Sequence, residues 1–404
     1  MEKLNIHLVN PYGTLPNEGW RKYRTNIVAE YLADQGYNVT YWISNIDHRS
    51  KKKRYDEDID IVINSNLTIK IVSSPEYAGN GSFQRIIYER GFSKRVKEIF
   101  LSNRFNSDII IITDPALFYG QSIYEIAEKT NSKFFIDILD LWPEVFITLF
   151  PKNLRWLSNL VLSPFYYLRK KLFKKAHGFI AVTHDYLQVA KNIAPNTPGV
   201  VVYIGIEKSN TKEVQKVNIC KSKDEIFIVY AGTLGINYDI QTILQFAEKL
   251  ETTDINAKLI IAGDGPAKND VENTISKGKL QKTIFLGRLD VEELNSLYSI
   301  CDIALSTYLS TSTVSMPVKA FDYISFGLPV INSLGREYGR LVKERKIGVQ
   351  YKAEDVESLF YQFSELISND ELLKSMKENA LSLSQEFGIQ NEYKKYMKFL
   401  EKNI

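Results

Sequence analysis

The segment Ser315-Met-Pro-Val-Lys319-Ala-Phe-Asp322-Tyr-Ile-Ser-Phe-Gly327-Leu-Pro-Val-Ile331 predicts a loop, a helix that begins at Pro317 and a short buried strand. Proline suits the first helical turn, because its missing N–H would lack a partner there. The free N–H groups of that turn, the helix dipole and Lys319 favour a phosphate group at residues 315–319. Asp322 follows three residues later on the same face, where it can accept hydrogen bonds from a sugar hydroxyl. The pattern indicates a nucleotide-sugar site; the alternative is a solvated Lys319–Asp322 pair.

Length and composition point to a globular protein of about two domains. The chain has 404 residues, of which 44% are hydrophobic and 25% charged. The net charge of +3 carries no nucleic-acid signature, but it is unevenly distributed. Residues 1–205 carry 26 Lys/Arg against 20 Asp/Glu (+6), and residues 206–404 carry 25 against 28 (−3).

Several classes of protein are not indicated. Met1–Ile6 leads directly into a strand pattern, so no signal peptide is predicted. No window approaches the roughly 18 apolar residues of a membrane span. Cys220, Cys301 and four scattered histidines give neither a disulfide framework nor metal spacing. We therefore expect a cytoplasmic protein with no metal and no cofactor.

The first half alternates strand and helix patterns. Ile109–Ile112 is a continuous apolar run, typical of a strand that is covered on both faces. Strands are predicted at 4–9, 38–43, 69–72, 108–112, 133–136, 178–182 and 200–203. Helices are predicted at 20–35, 83–104, 119–130, 154–175 and 184–194. Such alternation implies βαβ units and a parallel sheet.

A polar, aperiodic stretch at 207–224 reads as a linker to a second α/β series. Strands are predicted there at 226–230, 257–262, 283–286, 302–306 and 347–350, and helices at 239–251, 266–277, 290–300, 354–368, 370–386 and 390–402, besides the opening segment. The predicted fold class is therefore α/β, with two Rossmann-like, doubly wound parallel-sheet domains facing a central cleft. The predicted domains are 1–205 and 206–386, followed by a C-terminal helix at 387–404 that packs back on the first.

Three predicted strands of the second half end in glycine turns, which let a backbone approach a ligand closely. They are Val229-Tyr-Ala-Gly232-Thr-Leu-Gly235, Leu259-Ile-Ile-Ala-Gly263-Asp-Gly-Pro266 and Ile284-Phe-Leu-Gly287-Arg-Leu289. Parallel strands end at one edge of a sheet, so we expect the three turns to converge on the helix that begins at Pro317.

These motifs resemble those of family 4, a large retaining class of GT-B glycosyltransferases. The resemblance covers nearly the whole chain and is most specific in Ala262–Pro266, Phe285–Leu289, Leu297–Asp302 and Pro317–Val330. In addition, Asp137-Ile-Leu-Asp140-Leu-Trp-Pro-Glu144 resembles the Asp-Leu-Trp-Pro signature of a subgroup that builds bacterial surface polysaccharides. The resemblance implies transfer of a sugar to a glycan or lipid-linked glycan acceptor in capsule or O-antigen synthesis. A UDP-sugar is the expected donor because such donors are common, not because a particular residue indicates one.

The resemblance places the donor in the second domain and the acceptor in the first. The base would lie against the residues after Gly287, the diphosphate against the loop before Pro317, and the ribose against Asp322. The predicted donor-binding residues are Gly232, Thr233, Leu234, Tyr238, Gly263, Asp264, Gly287, Arg288, Leu289, Thr313, Ser315, Met316, Pro317, Lys319 and Asp322. The predicted catalytic residues are Asp140, Lys319 and Asp322.

The sequence departs from the family pattern in its charges. Thr233 and Tyr238 stand where family members carry an Arg and a Lys for the diphosphate, and the usual pair of glutamates becomes Val314 and Asp322. Lys319 can restore one positive charge, and Tyr238 and the hydroxyls at 311–315 can donate hydrogen bonds. A non-catalytic GT-B subunit that binds a partner transferase therefore stays open as an alternative. A sugar-nucleotide epimerase is a third.

The predicted acceptor-binding residues are Gly19, Trp20, Arg21, Asp140 and Glu144. Asp140 follows a predicted strand, where a carboxylate can orient or deprotonate a sugar hydroxyl; the alternative is a structural acid. Asp114, which precedes Pro115, is a weaker acidic candidate and reads more readily as a turn residue.

One stretch concerns partners other than the donor and acceptor. Residues 151–175 contain seven Lys/Arg and no acid, interleaved with aromatic residues. A basic, aromatic, amphipathic helix suits an anionic membrane surface. The alternative is an ordinary helix with a solvated basic face. The neighbouring basic run Arg49–Arg54 reads as a solvated loop.

Overall fold

The computed structural model describes residues 3–16, 18, 22–79, 83–151, 154–207, 216–235 and 238–404, except for the side chains of residues 148 and 149. The chain divides into two compact units. The first contains residues 1–203 and 392–404, and the second contains residues 204–391. Among the described residues, no helix combines the length and the hydrophobicity needed to cross a bilayer.

The first unit is built on an eight-stranded sheet. Its strands are β1 (Asn5–Val9), β2 (Asn38–Ser44), β3 (Ile59–Asn64), β4 (Leu67–Val72), β5 (Ile109–Asp114), β6 (Lys133–Ile138), β7 (Gly178–Ala181) and β8 (Gly199–Val201). Their order is β3-β4-β2-β1-β5-β6-β7-β8, and all pairs are parallel except β3 with β4. The strand order reverses between β1 and β5, and in such sheets ligands bind beyond the carboxyl ends of the strands at this point.

Helices connect these strands and cover the sheet. They are α1 (Arg24–Asp34), α2 (Phe83–Ser102), α3 (Gly120–Thr130), α4 (Arg155–Val161), α5 (Ser163–Phe173), α6 (His184–Ile193) and the last helix of the chain, α14 (Ile389–Lys402), with a 3-10 helix at Glu144–Leu149. The β5 side chains are all buried, as the continuous apolar run predicts.

A buried ion pair lies in the first unit. Arg24, the first residue of α1, donates from Nε to Asp137 Oδ2 of β6 at 3.0 Å, and both side chains are at most 3% exposed. Its Nη1 atom donates to the carbonyls of Val202 and Tyr203. The rings of Tyr393 and Tyr396 on α14 flank the guanidinium at 5.8 and 5.7 Å. The pair therefore joins α1, β6 and α14 within one core.

The second unit is built on a six-stranded parallel sheet with the order β11-β10-β9-β12-β13-β14. Its strands are β9 (Ile226–Ala231), β10 (Ala257–Ala262), β11 (Thr283–Gly287), β12 (Ile303–Ser306), β13 (Val330–Asn332) and β14 (Gly348–Gln350). Its helices are α7 (Ile240–Glu251), α8 (Lys268–Gly278), α9 (Val291–Ile300), α10 (Val318–Ser325), α11 (Arg336–Glu344), α12 (Val356–Ile367) and α13 (Asp370–Glu386). The predicted α/β class with two doubly wound sheets is confirmed.

Four local predictions need correction. The edge strand β3 was not predicted, because its residues are mostly exposed and its apolar run, Ile61–Ile63, is only three residues long. Helix α11 was not predicted either, because five of its nine residues are charged. The helix expected at 154–175 is two helices, α4 and α5, with Pro164 in the first turn of the second. The first helix begins at Arg24, and residues 208–215 of the expected linker lie outside the described residues.

We expect Asp137→Ala to lower the free energy of unfolding by about 3–5 kcal/mol, because it leaves the Arg24 guanidinium buried without its counter-charge. Urea unfolding followed by circular dichroism measures this change. The matched control is Glu30→Ala, which removes an ion pair of α1 with Lys22 that is 48% and 35% exposed. The control should cost less than about 1 kcal/mol. Equal losses in the two variants would contradict the importance of the buried pair.

Candidate active site

Three glycine turns meet at the carboxyl edge of β9, β10 and β11. Gly232 N–H donates to the Ala262 carbonyl at 3.0 Å, and Gly263 N–H donates to the Gly287 carbonyl at 2.7 Å. A Cβ atom on Gly263 would lie 1.9 Å from the Gly232 carbonyl oxygen, so only glycine allows the two turns to approach this closely. The structure thus brings together the three turns that the sequence predicts to converge.

Helix α10 begins beside these turns. Pro317 is its N-cap residue, with extended backbone dihedrals, and the helix starts at Val318. Tyr323 holds the helix in place, because its hydroxyl donates to the Leu305 carbonyl of β12 at 3.2 Å and accepts from Ala231 N–H of β9 at 3.3 Å. The first turn of α10 is thereby fixed at the ends of the central strands β9 and β12.

Lys319 points from this first turn toward the Gly232 turn. Its Nζ atom lies 3.7 Å from the place a Cβ on Gly232 would occupy. It lies 4.3, 4.9 and 5.0 Å from the ring centroids of Tyr230, Tyr308 and Tyr238. Although part of the residue is exposed, the Nζ atom is buried and has no hydrogen-bond partner among the described residues. The alternative of a solvated Lys319–Asp322 pair is therefore wrong.

Burial changes the chemistry of this amine. Desolvation lowers the pKa of Lys319 from 10.5 to about 7. The three aromatic faces offer a cation some electrostatic attraction but no hydrogen bond, so all three N–H donors of the ammonium group stay unsatisfied. A buried cation of this kind is stabilised by an anion that enters beside it, and the neighbouring turns supply backbone rather than bulky side chains.

The other predicted donor residues take different positions. Thr233, Asp264 and Arg288 are exposed at the ends of their turns, while Thr313, Leu289 and Asp322 are partly buried. Ser315, Met316 and Pro317 are buried beside the start of α10. Leu234 differs, because its side chain is in the hydrophobic core and its N–H and carbonyl bond to Asp264 and Ala267. The structure therefore leaves Leu234 no free group with which to contact a ligand.

The predicted acceptor residues lie in the first unit. Asp140 follows β6, is exposed, and accepts from Leu141 N–H through Oδ1 at 2.9 Å. Desolvation raises its pKa, but the exposed position limits this effect. Both carboxylate oxygens of Glu144 accept from Arg169 at 2.6 and 2.7 Å, which gives Glu144 a bidentate structural partner. Gly19, Trp20 and Arg21 lie outside the described residues.

Two tyrosines around Lys319 were missed by sequence reasoning. Tyr230 is the penultimate residue of β9, and Tyr308 follows β12, so both lie at the carboxyl ends of adjacent central strands. The Tyr308 and Tyr238 rings contact each other at 5.0 Å. Their positions at strand ends are the signal that identifies them, because side chains there surround the ligand edge of a parallel sheet.

The class of protein follows from this architecture. Residues 211–382 match the family described as glycosyl transferases group 1. These residues contain the glycine turns, Lys319 and α10. Solved glycosyltransferase structures share the two-sheet GT-B fold of the whole chain. Residues 211–382 are thus similar to a group 1 glycosyltransferase domain, and the whole chain has the GT-B fold.

Individual relatives are distant. The sucrose-phosphate synthase of Thermosynechococcus elongatus has a TM-score of 0.73 at 14% identity, covering 99% of each chain. Anabaena Alr3699/HepE in complex with UDP has a TM-score of 0.68 at 12% identity, covering 99% of this chain and 100% of the other. A chitobiosyldiphosphodolichol beta-mannosyltransferase of Debaryomyces hansenii is 26% identical over 134 residues, 31% of this chain and 28% of the relative. The chain thus spans less than a third of that relative's length.

The lowered pKa of Lys319 predicts a pH-dependent stability difference between the wild type and Lys319→Met. Below pH 7 the ammonium group is charged in both the folded and unfolded states, so the wild type bears the full desolvation cost. As the pH rises from 7 toward 10.5, the folded state loses the proton first and the wild type gains stability. Lys319→Met should therefore be more stable by a few kcal/mol at pH 6, and this advantage should shrink as the pH approaches 10.

Urea unfolding of both proteins between pH 6 and 10 measures the difference. Lys352→Met is the matched control in the same unit, because the Lys352 side chain is 81% exposed. This control should differ from the wild type by less than about 0.5 kcal/mol at every pH. A Lys319→Met advantage that does not vary with pH would show that the amine is charged throughout.

Proposed function

We propose that this protein transfers a sugar from a nucleoside diphosphate sugar to a glycan or lipid-linked glycan acceptor. The observation that carries the proposal is the buried, unpartnered Lys319 ammonium group between the Gly232 turn and the start of α10. A diphosphate placed there would receive a positive charge and backbone N–H donors. Because negative charge develops on the leaving diphosphate in the transition state, Lys319 and the helix terminus would stabilise that state, without a metal ion having to supply the charge.

The finer features of the proposal have separate supports. A UDP-sugar donor is favoured because HepE, which shares the fold, binds UDP. A lipid-linked acceptor is favoured by the name of the Debaryomyces relative, a chitobiosyldiphosphodolichol beta-mannosyltransferase. A place in bacterial surface polysaccharide synthesis, with retention of the anomeric configuration, rests on the family 4 resemblance and its Asp-Leu-Trp-Pro motif.

The second candidate is a non-catalytic subunit that stabilises a partner transferase. The observation that favours it is the absence of a cation at positions 233 and 238, where the family resemblance implies Arg and Lys. Lys319 can replace the missing cations only if its ammonium group contacts a diphosphate. Nucleotide binding therefore separates the two candidates.

Calorimetry with UDP, GDP, ADP and the matching nucleosides tests the proposal. We expect one diphosphate to bind, and we expect Lys319→Met to weaken its binding by about tenfold to a hundredfold. This is the loss expected when one charge-assisted contact of 1.5–3 kcal/mol is removed. Nucleoside binding should change less than twofold, and Lys352→Met should leave both unchanged. Absence of any diphosphate binding at millimolar concentration would favour the subunit, and equal losses for diphosphate and nucleoside would remove Lys319 from the phosphate site.

We also propose that helices α4 and α5 bring the first unit to an anionic membrane surface, where a lipid-linked acceptor would lie. The exposed apolar side chains here are Trp156 (74%), Leu160 (73%), Val161 (56%) and Tyr167 (66%). The exposed lysines of this segment are Lys170 and Lys171 of α5 and Lys174, which follows α5. Arg169 does not belong to this basic face, because it is buried against Glu144. Exposed Trp and Leu beside several lysines fit the interface of an anionic bilayer.

Vesicle co-sedimentation tests this surface. The wild type should bind vesicles that contain phosphatidylglycerol and not vesicles of phosphatidylcholine alone. Trp156→Ser with Leu160→Ser should weaken binding about tenfold or more, because each buried side chain contributes on the order of 1.5–3 kcal/mol when fully withdrawn from water. Tyr361→Ser is the control, since Tyr361 is 60% exposed in the second unit. Binding that is insensitive to the double substitution would place the contact elsewhere.

A further inference from the structure

Asp114 ends β5 at the point where the strand order of the first sheet reverses. Its backbone carbonyl accepts from Leu139 N–H at 3.2 Å, and Asp140 is the next residue along the chain. The carboxyl groups of Asp114 and Asp140 therefore belong to neighbouring strand ends. Ligands of doubly wound sheets bind at this edge.

The Asp114 carboxyl group is buried at an energetic cost. The residue is 1% exposed, and its Oδ1 atom accepts from Ala116 N–H at 3.0 Å. Its Oδ2 atom is buried and has no hydrogen-bond partner among the described residues. An asparagine would keep the bond to Ala116 without burying an ionisable group. The fold therefore does not require an acid at this position.

The nearest cation is committed to another acid. Arg169 lies close enough to act on the Asp114 charge, but it pairs with both oxygens of Glu144 and donates to the Trp142 carbonyl at 2.8 Å. Burial, with repulsion from Asp140 and Glu144, outweighs Arg169 and raises the pKa of Asp114 to about 7. Asp140 is exposed and accepts a backbone hydrogen bond, both of which favour its ionised form.

We infer that Asp114 and Asp140 form a coupled carboxyl pair on the acceptor side, in which the buried Asp114 sets how strongly the exposed Asp140 attracts a proton. Asp140 is the group that would touch the acceptor, and Asp114 is a positioning residue that acts through it. The buried acids Asp137 and Glu89 each pair with an arginine, whereas Asp114 has no ion pair among the described residues and lies at a strand end next to that of a predicted catalytic carboxylate, which is the arrangement expected of a tuned pair.

The role in transfer rests on the proposed function. In that step the acceptor O–H bond breaks and its proton passes to the Asp140 carboxylate. The acceptor oxygen bonds to the anomeric carbon, and the diphosphate leaves with the electron pair of the broken glycosidic bond. A negative charge on Asp114 makes Asp140 a stronger base for this proton. Asp140 then releases the proton to solvent.

Other charged and titratable groups act on the same pair. Arg85 of α2 lies close enough to Asp140 to oppose its protonation, and its guanidinium lies 4.1 Å from the Trp142 ring centroid. Tyr119, whose hydroxyl donates to the Thr113 carbonyl, senses the charge of Asp114. The remaining groups that act on the pair or on Tyr119 are Glu144, Arg169, Tyr23 and Glu89.

Infrared titration of the full chain tests the pair without any substrate. The C=O stretch of a protonated carboxyl should disappear with a midpoint near pH 7 in the wild type. It should be absent from Asp114→Asn and move to lower pH in Asp140→Asn, because the repelling charge is gone. Glu30→Gln, at a partly exposed acid of α1 that pairs with Lys22, should leave the midpoint unchanged. A midpoint unaltered in Asp140→Asn, or no such band in the wild type, would overturn the inference.

A kinetic arm tests the role in transfer. With saturating UDP- or GDP-sugar, whose diphosphate would hold the proton on Lys319, and a short-chain chitobiosyl diphospholipid as acceptor probe, kcat of the wild type should rise severalfold between pH 6 and 8. In Asp114→Asn this rise should be lost while the donor KM stays within twofold. A retained rise would overturn the role of Asp114, whereas a wild type that transfers nothing would count against the proposed function alone. If Asp114→Asn does not fold, the wild-type and Asp140→Asn titrations decide the inference.

Discussion

A positive charge that is buried without a partner is the constraint around which the second unit is arranged. Removing an ammonium group from water is costly, and the aromatic rings around Lys319 recover only part of that cost. The amine is nevertheless held in this position. Tyr323 of α10 bonds to both β9 and β12, which fixes the direction in which Lys319 points. At the Gly232 turn no Cβ atom fills the position 3.7 Å from the amine. Stability is lowered at one point where an anion would restore it.

Buried charged side chains of the first unit are of two kinds, those paired with an opposite charge and those without such a pair among the described residues. Arg24 and Asp137 are paired at 3.0 Å, further satisfied by backbone carbonyls, and serve the core. Glu144 and Arg169 are paired in the same manner near the strand ends. The buried Asp114 carboxyl group has no ion pair among the described residues, and Arg169, which acts on its charge, is paired with Glu144. The contrast is between acids that are paired with an arginine and a buried acid that we infer acts in proton chemistry.

Much of the fold was predictable because apolar runs and glycine turns are local signals. The β5 run and the turns after β9, β10 and β11 were all found in this way. The position of Lys319 was predictable from its helix. The tyrosine rings around its amine were not, since Tyr230, for example, comes from a strand 89 residues earlier in the chain. The burial of Asp114 could not be predicted from the sequence either, because Asp114 there resembles an ordinary turn residue before proline. The Glu144–Arg169 pair was missed because its partners lie on separate elements.

The return of the chain to the first unit at residue 392 has a consequence for biosynthesis. Helix α14 supplies the aromatic rings that cover Arg24, and Glu392 accepts from Tyr203 N–H at 2.9 Å, so the first unit lacks part of its core until residues 392–404 have been synthesised. The second unit, encoded in between, is complete earlier. The first unit therefore starts to be synthesised before the second but completes its core later. Its incomplete core is a natural point of contact for chaperones during translation.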